Sequence, residues 1–251
     1  MTKFTDDNQF SLAYHQLGNN LSLGLNRISY SLFESHLKAL KKIKYRENIK
    51  IEIIFDDGYE STFTLAMPLM EKYGFKGTVF PVAGYLGKTN NWDINFFGIN
   101  SMNHLDEEQI YKLSELGWEI GSHGLSHKPL HTLNPLDLDN ELRTSKEILE
   151  KIINKEVKRF TPPFSIINKQ LIKNIFSLGY KHIYLQKKII PSYPTKNIVY
   201  RNSVYSIDNS NSLTRKSKNN IIELFKENII HHCSKLTVIA KQLLWVLSVT
   251  L

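Results

Sequence analysis

Two stretches of this chain hold side chains whose types and spacing could do chemistry. The first is IIFDDGY, in which Asp56 and Asp57 follow an apolar run and precede Gly58. Neighbouring strand residues point to opposite faces, but a turn at the strand's end lets both carboxylates approach one site. One could then hold a metal ion while the other, its proton affinity shifted by that cation, handles a proton. The same tripeptide also reads as a solvated turn. The second stretch, GSHGLSHKPLHTL, sets His123, His127 and His131 four residues apart. Imidazoles at that interval meet on one helical turn or in a compact loop, and Gly121, Gly124 and Pro129 argue for the loop. Neutral imidazole nitrogens suit Zn, Co, Ni or Fe. His131 taken singly reads as a surface histidine. One Asp with two His makes a facial set that leaves coordination positions open, which means catalysis rather than a structural clamp.

The elements that must position these residues alternate between strand-length apolar runs and stretches of helical period, a βα pattern with a parallel sheet. Strands are expected over 10–14, 50–55, 77–82, 118–120, 159–161, 182–185 and 198–205, and helices over 32–42, 62–73, 106–117, 135–153 and 168–177. Asp106 followed by Gln109, with Gly117 at the end, marks one helix sharply. About seven strands in 251 residues fit a distorted (β/α)7 barrel over residues 1–232, and no dinucleotide-binding glycine fingerprint appears. In such barrels the chemistry sits at the C-terminal strand ends, a rule that selects Asp56/Asp57, His123 and the Pro162–Phe164 corner.

Composition bounds the partners. The chain carries +8 overall, but residues 1–150 hold 15 basic against 20 acidic side chains, and residues 151–251 hold 17 against 4. Such a half would suit a nucleic acid, an anionic membrane surface or a phosphate-bearing substrate, or is simply a lysine-rich solvated surface. No nucleic-acid-binding motif accompanies it, so nucleic acid is not expected. Cys233 is the single cysteine, which excludes an intrachain disulfide and a thiolate metal cluster. The first residues lack the basic and apolar regions of a secretory signal, so a cytoplasmic location is expected. Residues 233–251 read as a C-terminal amphipathic helix that either packs against the barrel or lies on the inner membrane surface as a peripheral contact.

FDDG, then HxxSH as His123 to His127, then a Pro-Pro-aromatic corner resembles the polysaccharide deacetylase family, carbohydrate esterase family 4. YHQL, GFKGTVFPVAGYLG and GWEIGSHGLSHKPL match its pattern too, so the resemblance covers roughly residues 10 to 185. It implies a hydrolase acting on the carbon–nitrogen bond of N-acetylated sugars. Asp57, His123 and His127 would hold a divalent metal, Zn first among the candidates. That cation would acidify its water and polarise the acetyl carbonyl, Asp56 would be the general base, and the Phe164 backbone N–H would steady the oxyanion beside Pro163. His15, ending the first strand, is a candidate substrate or supporting contact. Trp92 within Asn90–Asp93 is a candidate sugar platform. Arg201 would meet an anionic group of the substrate.

Two departures stand out. Thr161 occupies the position of the family's arginine, the usual partner of the base, with Phe164-Ser165 in place of its aromatic-Gly pair. The late Leu-x-His motif is not evident, since His231 and His232 lie in a helical pattern, and the proton donor is unassigned. The substrate is expected to be an N-acetylated sugar or glycan, lipid- or nucleotide-linked, in surface polysaccharide or glycolipid biosynthesis. A cyclic amide or imide hydrolase on the same fold and a carbohydrate-binding pseudoenzyme are the alternatives.

Overall fold

The computed structural model describes residues 9–18, 25–90, 102–188, 193 and 196–231. Nine strands are found there: β1 (Gln9–Tyr14), β2 (Gln16–Leu17), β3 (Arg27–Ile28), β4 (Lys50–Asp57), β5 (Gly77–Pro81), β6 (Glu119–Ile120), β7 (Arg159–Phe160), β8 (His182–Gln186) and β9 (Ile198–Ser203). Seven form one sheet in the bonded order β6-β5-β4-β1-β9-β8-β7, while β2 and β3 pair apart. All these pairings are parallel. The open edges meet where Ser122 bridges Phe160, its N–H donating to Arg159 O at 2.9 Å while Thr161 N donates back to Ser122 O at 3.0 Å. Strands that neighbour in the chain therefore neighbour in space around a (β/α)7 barrel, distorted where a single bridge replaces a ladder.

The helices on its outside are α1 (Tyr30–Glu47), α2 (Met67–Lys72), α3 (Glu107–Glu115), α4 (Pro135–Ile153), α5 (Lys169–Ser177), α6 (Ser210–Ser217) and α7 over 221–231. Their starts follow from side-chain caps. Ser29, Asp106, Asn134, Asn168 and Asn209 each accept a backbone N–H of the first turn, and Asp106 with Gln109 forms the reciprocal capping box. Asn48 and Asn154 close α1 and α4 in the left-handed conformation. The expected helix over 62–73 opens instead with a π-helical turn, Thr62–Ala66, before α2. The expected strand over 50–55 runs on to Asp57 because Asp56 and Asp57 pair with Phe80 and Pro81 of β5.

Strand periodicity divides the core. Outward residues such as Leu12, Phe55, Val79 and Ile183 pack under the helices. Inward residues fill the barrel in layers. At its base Glu52 accepts from Ser11 Oγ (2.7 Å), Arg159 Nη1 (2.9 Å) and Tyr184 Oη (2.9 Å). Above lies a small apolar plug of Ile54, Phe80 and Tyr184 with Val199 against it. The next inward residues upward are Asp56, Thr161 and Arg201, all buried. Trp92 and the tail over 233–251 lie outside the described residues. No helix among the described residues is long and apolar enough to cross a membrane.

Candidate active site

Asp56 and Asp57 reach one site because the chain turns between them. Asp57 has a left-handed backbone (φ 66°) and Gly58 follows at φ 73°, which swings the Asp57 side chain out of strand alternation toward the mouth. At Gly58 a Cβ would stand 2.7 Å from Pro81, so glycine is required there. The turn is tied down from a third segment: Leu105 N donates to Gly58 O at 2.8 Å, and His104 Nδ1 donates to Asp57 O at 3.0 Å with its ring stacked on Tyr59.

The His123–His127 segment is a loop and not a helical turn, with Gly124 and His127 both at positive φ. It folds around the buried Glu141 carboxylate of α4. Leu125 N and Ser126 N donate to Glu141 Oε2, each at 2.9 Å, and Ser126 Oγ donates to Oε1. The result is that His123 and His127, four apart in sequence, converge. Asp57 Oδ1 stands 3.3 Å from His123 Nε2 and 3.4 Å from His127 Nε2. Their ligand atoms all lie within 4.8 Å of one another.

This set fits a divalent cation. Donors about 2.0–2.2 Å from a tetrahedral centre are about 3.3–3.6 Å apart, the spacing seen from Asp57 to each imidazole. The tautomer also fits. His123 Nδ1 lies 2.7 Å from Thr161 O, and since a carbonyl can only accept, that nitrogen carries the proton and leaves the Nε2 lone pair for a metal. Burial works against the Asp57 charge, but hydrogen bonds from His123 and His127 hold its carboxyl well below the usual carboxylate range. Burial also opposes protonation of His123, yet the hydrogen bond to Asp57 and the charges of Asp56 and Asp57 raise its pKa. His131 is exposed on the surface and stands apart from the set.

Asp56 has the partner that position 161 lacks. Arg201, from β9, donates Nη1 to Asp56 Oδ1 at 2.5 Å and Nη2 to Oδ2 at 2.6 Å, a two-pronged clamp between two buried side chains. Nη2 also reaches Thr161 Oγ1 at 2.8 Å, whose own hydroxyl donates to Tyr184 O at 3.1 Å. The expectation that Arg201 meets a substrate anion is therefore corrected: its guanidinium is engaged by the neighbouring carboxylate, and Thr161 orients it. Sequence reasoning missed this because Arg201 lies 40 positions beyond the motif, and it missed His104 and Glu141 because nothing in their local sequence marks them.

His15 stands over the clamp, Nε2 4.0 Å from Asp56 Oδ2, with its side chain 23% exposed. Its Nδ1 is buried and has no hydrogen-bond partner among the described residues. Phe164 has a left-handed backbone (φ 61°), and its ring lies 4.9 Å from that of His127, with Pro163 buried beside it. These residues form one mouth: a metal-competent triad, a clamped carboxylate, and an imidazole open to solvent.

Comparisons with known proteins agree with that geometry. The family model described as polysaccharide deacetylase matches residues 44–183, a span that holds the DDG turn, the histidine loop and the 161–164 corner but neither His15 nor Arg201. The chain is 27% identical over 187 residues to YxkH of Bacillus subtilis (strain 168), covering 68% of this chain and 61% of that protein. It is 24% identical over 196 residues to the poly-beta-1,6-N-acetyl-D-glucosamine N-deacetylase of Staphylococcus aureus (strain MSSA476), covering 69% of this chain and 65% of the relative. The chain thus spans less than two thirds of the length of these relatives. Among solved structures, IcaB from Ammonifex degensii superposes with a TM-score of 0.68 at 17% identity over 86% of this chain and 98% of its own. The Streptococcus pyogenes deacetylase PplD gives 0.65 at 18% over 86% and 96%, so both share the fold. With more than half of its residues inside the family match, and with the motif residues converging at the barrel mouth, this chain belongs to the polysaccharide deacetylase family.

Proposed function

We propose that the chain is a metal-dependent hydrolase that removes the acetyl group from an N-acetylated amino sugar. The observation that carries this reading is the convergence of Asp57, His123 and His127 beside a separately clamped Asp56. Zn, or Co, Ni or Fe, held by the triad would supply Lewis-acid polarisation of the acetyl carbonyl and a more acidic water. The remaining work belongs to the protein. Asp56, held in orientation by Arg201, takes the proton of the attacking water. The backbone N–H of Phe164 faces the developing oxyanion, a role that the family resemblance assigns to that corner. His15, on the Asp56 side of the mouth and partly open to solvent, donates the proton that the departing amine needs, filling the role left without a candidate by the absent Leu-x-His motif.

The relative named as a poly-beta-1,6-N-acetyl-D-glucosamine N-deacetylase supports a β-linked N-acetylglucosamine glycan as the substrate class, which this reading places in a surface polysaccharide. Thr161 and the missing Leu-x-His motif were the features favouring a non-catalytic carbohydrate binder, and Arg201 on Asp56 answers the first of them.

The test combines metal analysis with acetate release from N-acetylglucosamine oligomers of different linkage. Wild type is expected to bind about one metal per chain and release acetate, and Asp57→Ala and His127→Ala to lose both. His15→Asn is expected to keep its metal while kcat falls about 10²-fold with KM little changed. Activity retained by a metal-free Asp57→Ala/His127→Ala double variant would overturn the mechanism, and a metal-loaded wild type inert on every acetylated amino sugar would overturn the activity.

A further inference from the structure

Strand β8 offers its backbone groups to two neighbours in turn. His182 N donates to Lys158 O at 3.0 Å on the β7 side, and Lys187 N donates to Arg201 O at 2.8 Å on the β9 side. Strand β7 ends at Phe160, and Pro162 and Pro163 just beyond it have no N–H with which to continue a ladder. Two hydroxyls take over. Thr161 Oγ1 donates to Tyr184 O at 3.1 Å, and Ser165 Oγ accepts from Gln186 N at 3.1 Å. The corner after β7 is therefore pinned to the strand pair that carries the clamp, since Gln186 is the register partner of Arg201.

That pin holds a backbone which would otherwise relax. Phe164 and Ser165 both have positive φ, 61° and 51°, a region that residues other than glycine enter at a cost. Two in succession persist only where the surroundings hold them. The same corner is tied to the metal set from its other side: His123 Nδ1 donates to Thr161 O at 2.7 Å, and the Phe164 ring lies 4.9 Å from that of His127. Releasing Ser165 from β8 would let φ of Phe164 relax, and that rotation turns the Phe164 N–H. We propose that Ser165 is a positioning residue, whose hydroxyl on β8 keeps the Phe164 N–H aimed at the point where the acetyl oxygen takes up negative charge. This rests on the deacetylase reading above, which gives that N–H its task.

Kinetics and residue-resolved hydrogen exchange on the zinc-loaded full chain test this. Ser165→Gly removes the hydroxyl together with the cost of positive φ, so Tm and zinc content are expected to stay close to wild type. Its kcat should nevertheless fall about tenfold with KM little changed, and the Phe164 and Gln186 amides should exchange at least about tenfold faster. Ser165→Ala, which keeps the Cβ without its anchor, should show the same fall in kcat with a lower Tm. Wild-type kcat in Ser165→Gly overturns the proposal, and so does a fall in kcat matched by loss of zinc or of folded protein, because the hydroxyl would then serve the fold alone. Unchanged exchange of the Phe164 amide overturns it whatever the activity. A wild type inert on every acetylated amino sugar, in which Ser165→Gly still loosens the Phe164 amide, would overturn the deacetylase reading and support the anchoring.

Discussion

Replacing Arg201 with Met keeps a long, flexible side chain but removes the clamp on Asp56. The structure sets the scale. Both side chains are nearly inaccessible, 4% and 6% exposed, and the pair is joined by two charge-assisted hydrogen bonds at 2.5 and 2.6 Å. Removing one member of such a pair leaves a buried charge uncompensated and costs about 3–5 kcal/mol of stability. That is a large share of the total of a typical domain, so activity has to be normalised to folded protein. The catalytic loss has a ceiling. General-base catalysis contributes about 10²–10⁴-fold, and a base that is present but misoriented forfeits part of it, so kcat should fall about 10²-fold, or about 2.7 kcal/mol, with KM little changed.

The decisive control is the exchange variant Thr161→Arg/Arg201→Thr. Thr161 Oγ1 lies 2.8 Å from the Arg201 guanidinium, so an arginine at 161 starts beside the same carboxylate. Acetate release is expected to return to within about tenfold of wild type. Arg201→Lys should fall between, since one ammonium cannot serve both carboxylate oxygens and Thr161 together. Wild-type kcat and KM in folded Arg201→Met would refute the assignment of Arg201 as the residue that positions the base.

Three further outcomes follow from the same geometry. Glu141→Ala deprives Leu125 N, Ser126 N and Ser126 Oγ of their acceptor, and should lower stability by about 2–4 kcal/mol and metal affinity about 10–100-fold, read by denaturant titration and competition with a chelator. In the metal-free protein His123 holds its proton above the ordinary imidazole range, so the stability it contributes is present at low pH and is lost as pH rises through the raised value. Metal needs the neutral ring, so the difference in Tm between metal-loaded and metal-free protein should widen as pH rises from about 6 to 8, and a pH-independent difference would contradict the ligand assignment. Gly121→Ala would put a Cβ 2.3 Å from the Phe80 ring and 3.1 Å from Arg159 O, so the mouth-end bridge should weaken and Tm fall by several degrees, about 1–3 kcal/mol.

The elements were largely legible because their signals are local. Apolar period located α1, α3, α4 and α5, a capping pair sharpened the start of α3, and α4 begins and ends where Pro135 and Ile153 placed it, although α1 runs five residues past the expected Lys42 to Glu47. The set of Asp57, His123 and His127 was legible for a related reason: its side chains are chemically distinctive and two of them are four residues apart. The rest of the site is not written locally. His104 acts on a backbone carbonyl 47 residues away and Glu141 on two backbone N–H groups, and neither contact leaves a trace in the residues around it. The inward turn of Glu223 and Glu227 on α7 is equally invisible. Its pattern of Ile, Phe and Glu reads as an ordinary amphipathic helix, and only Lys216 and Arg215 on the preceding helix decide that the acidic side turns inward.

Thr161 and Arg201 explain why a motif can look broken while the site remains whole. A motif is written along one strand, but the mouth of a barrel is a layer to which every strand contributes one inward side chain at the same height. Thr161 on the end of β7, Arg201 on β9 and Asp56 on β4 lie in that layer, and the first two touch. A guanidinium can therefore reach Asp56 from either strand at similar cost, provided that the vacated position is small and can orient the newcomer. Threonine meets both conditions: its hydroxyl accepts from Arg201 and donates to Tyr184 O. If the layer governs, an arginine moved to a third inward position at that height, Gln186 on β8, should also restore part of the activity of Arg201→Met, whereas one introduced a layer lower at Tyr184 should not. Equal failure of both would mean that the strand of origin, and not the layer, sets the geometry of the base.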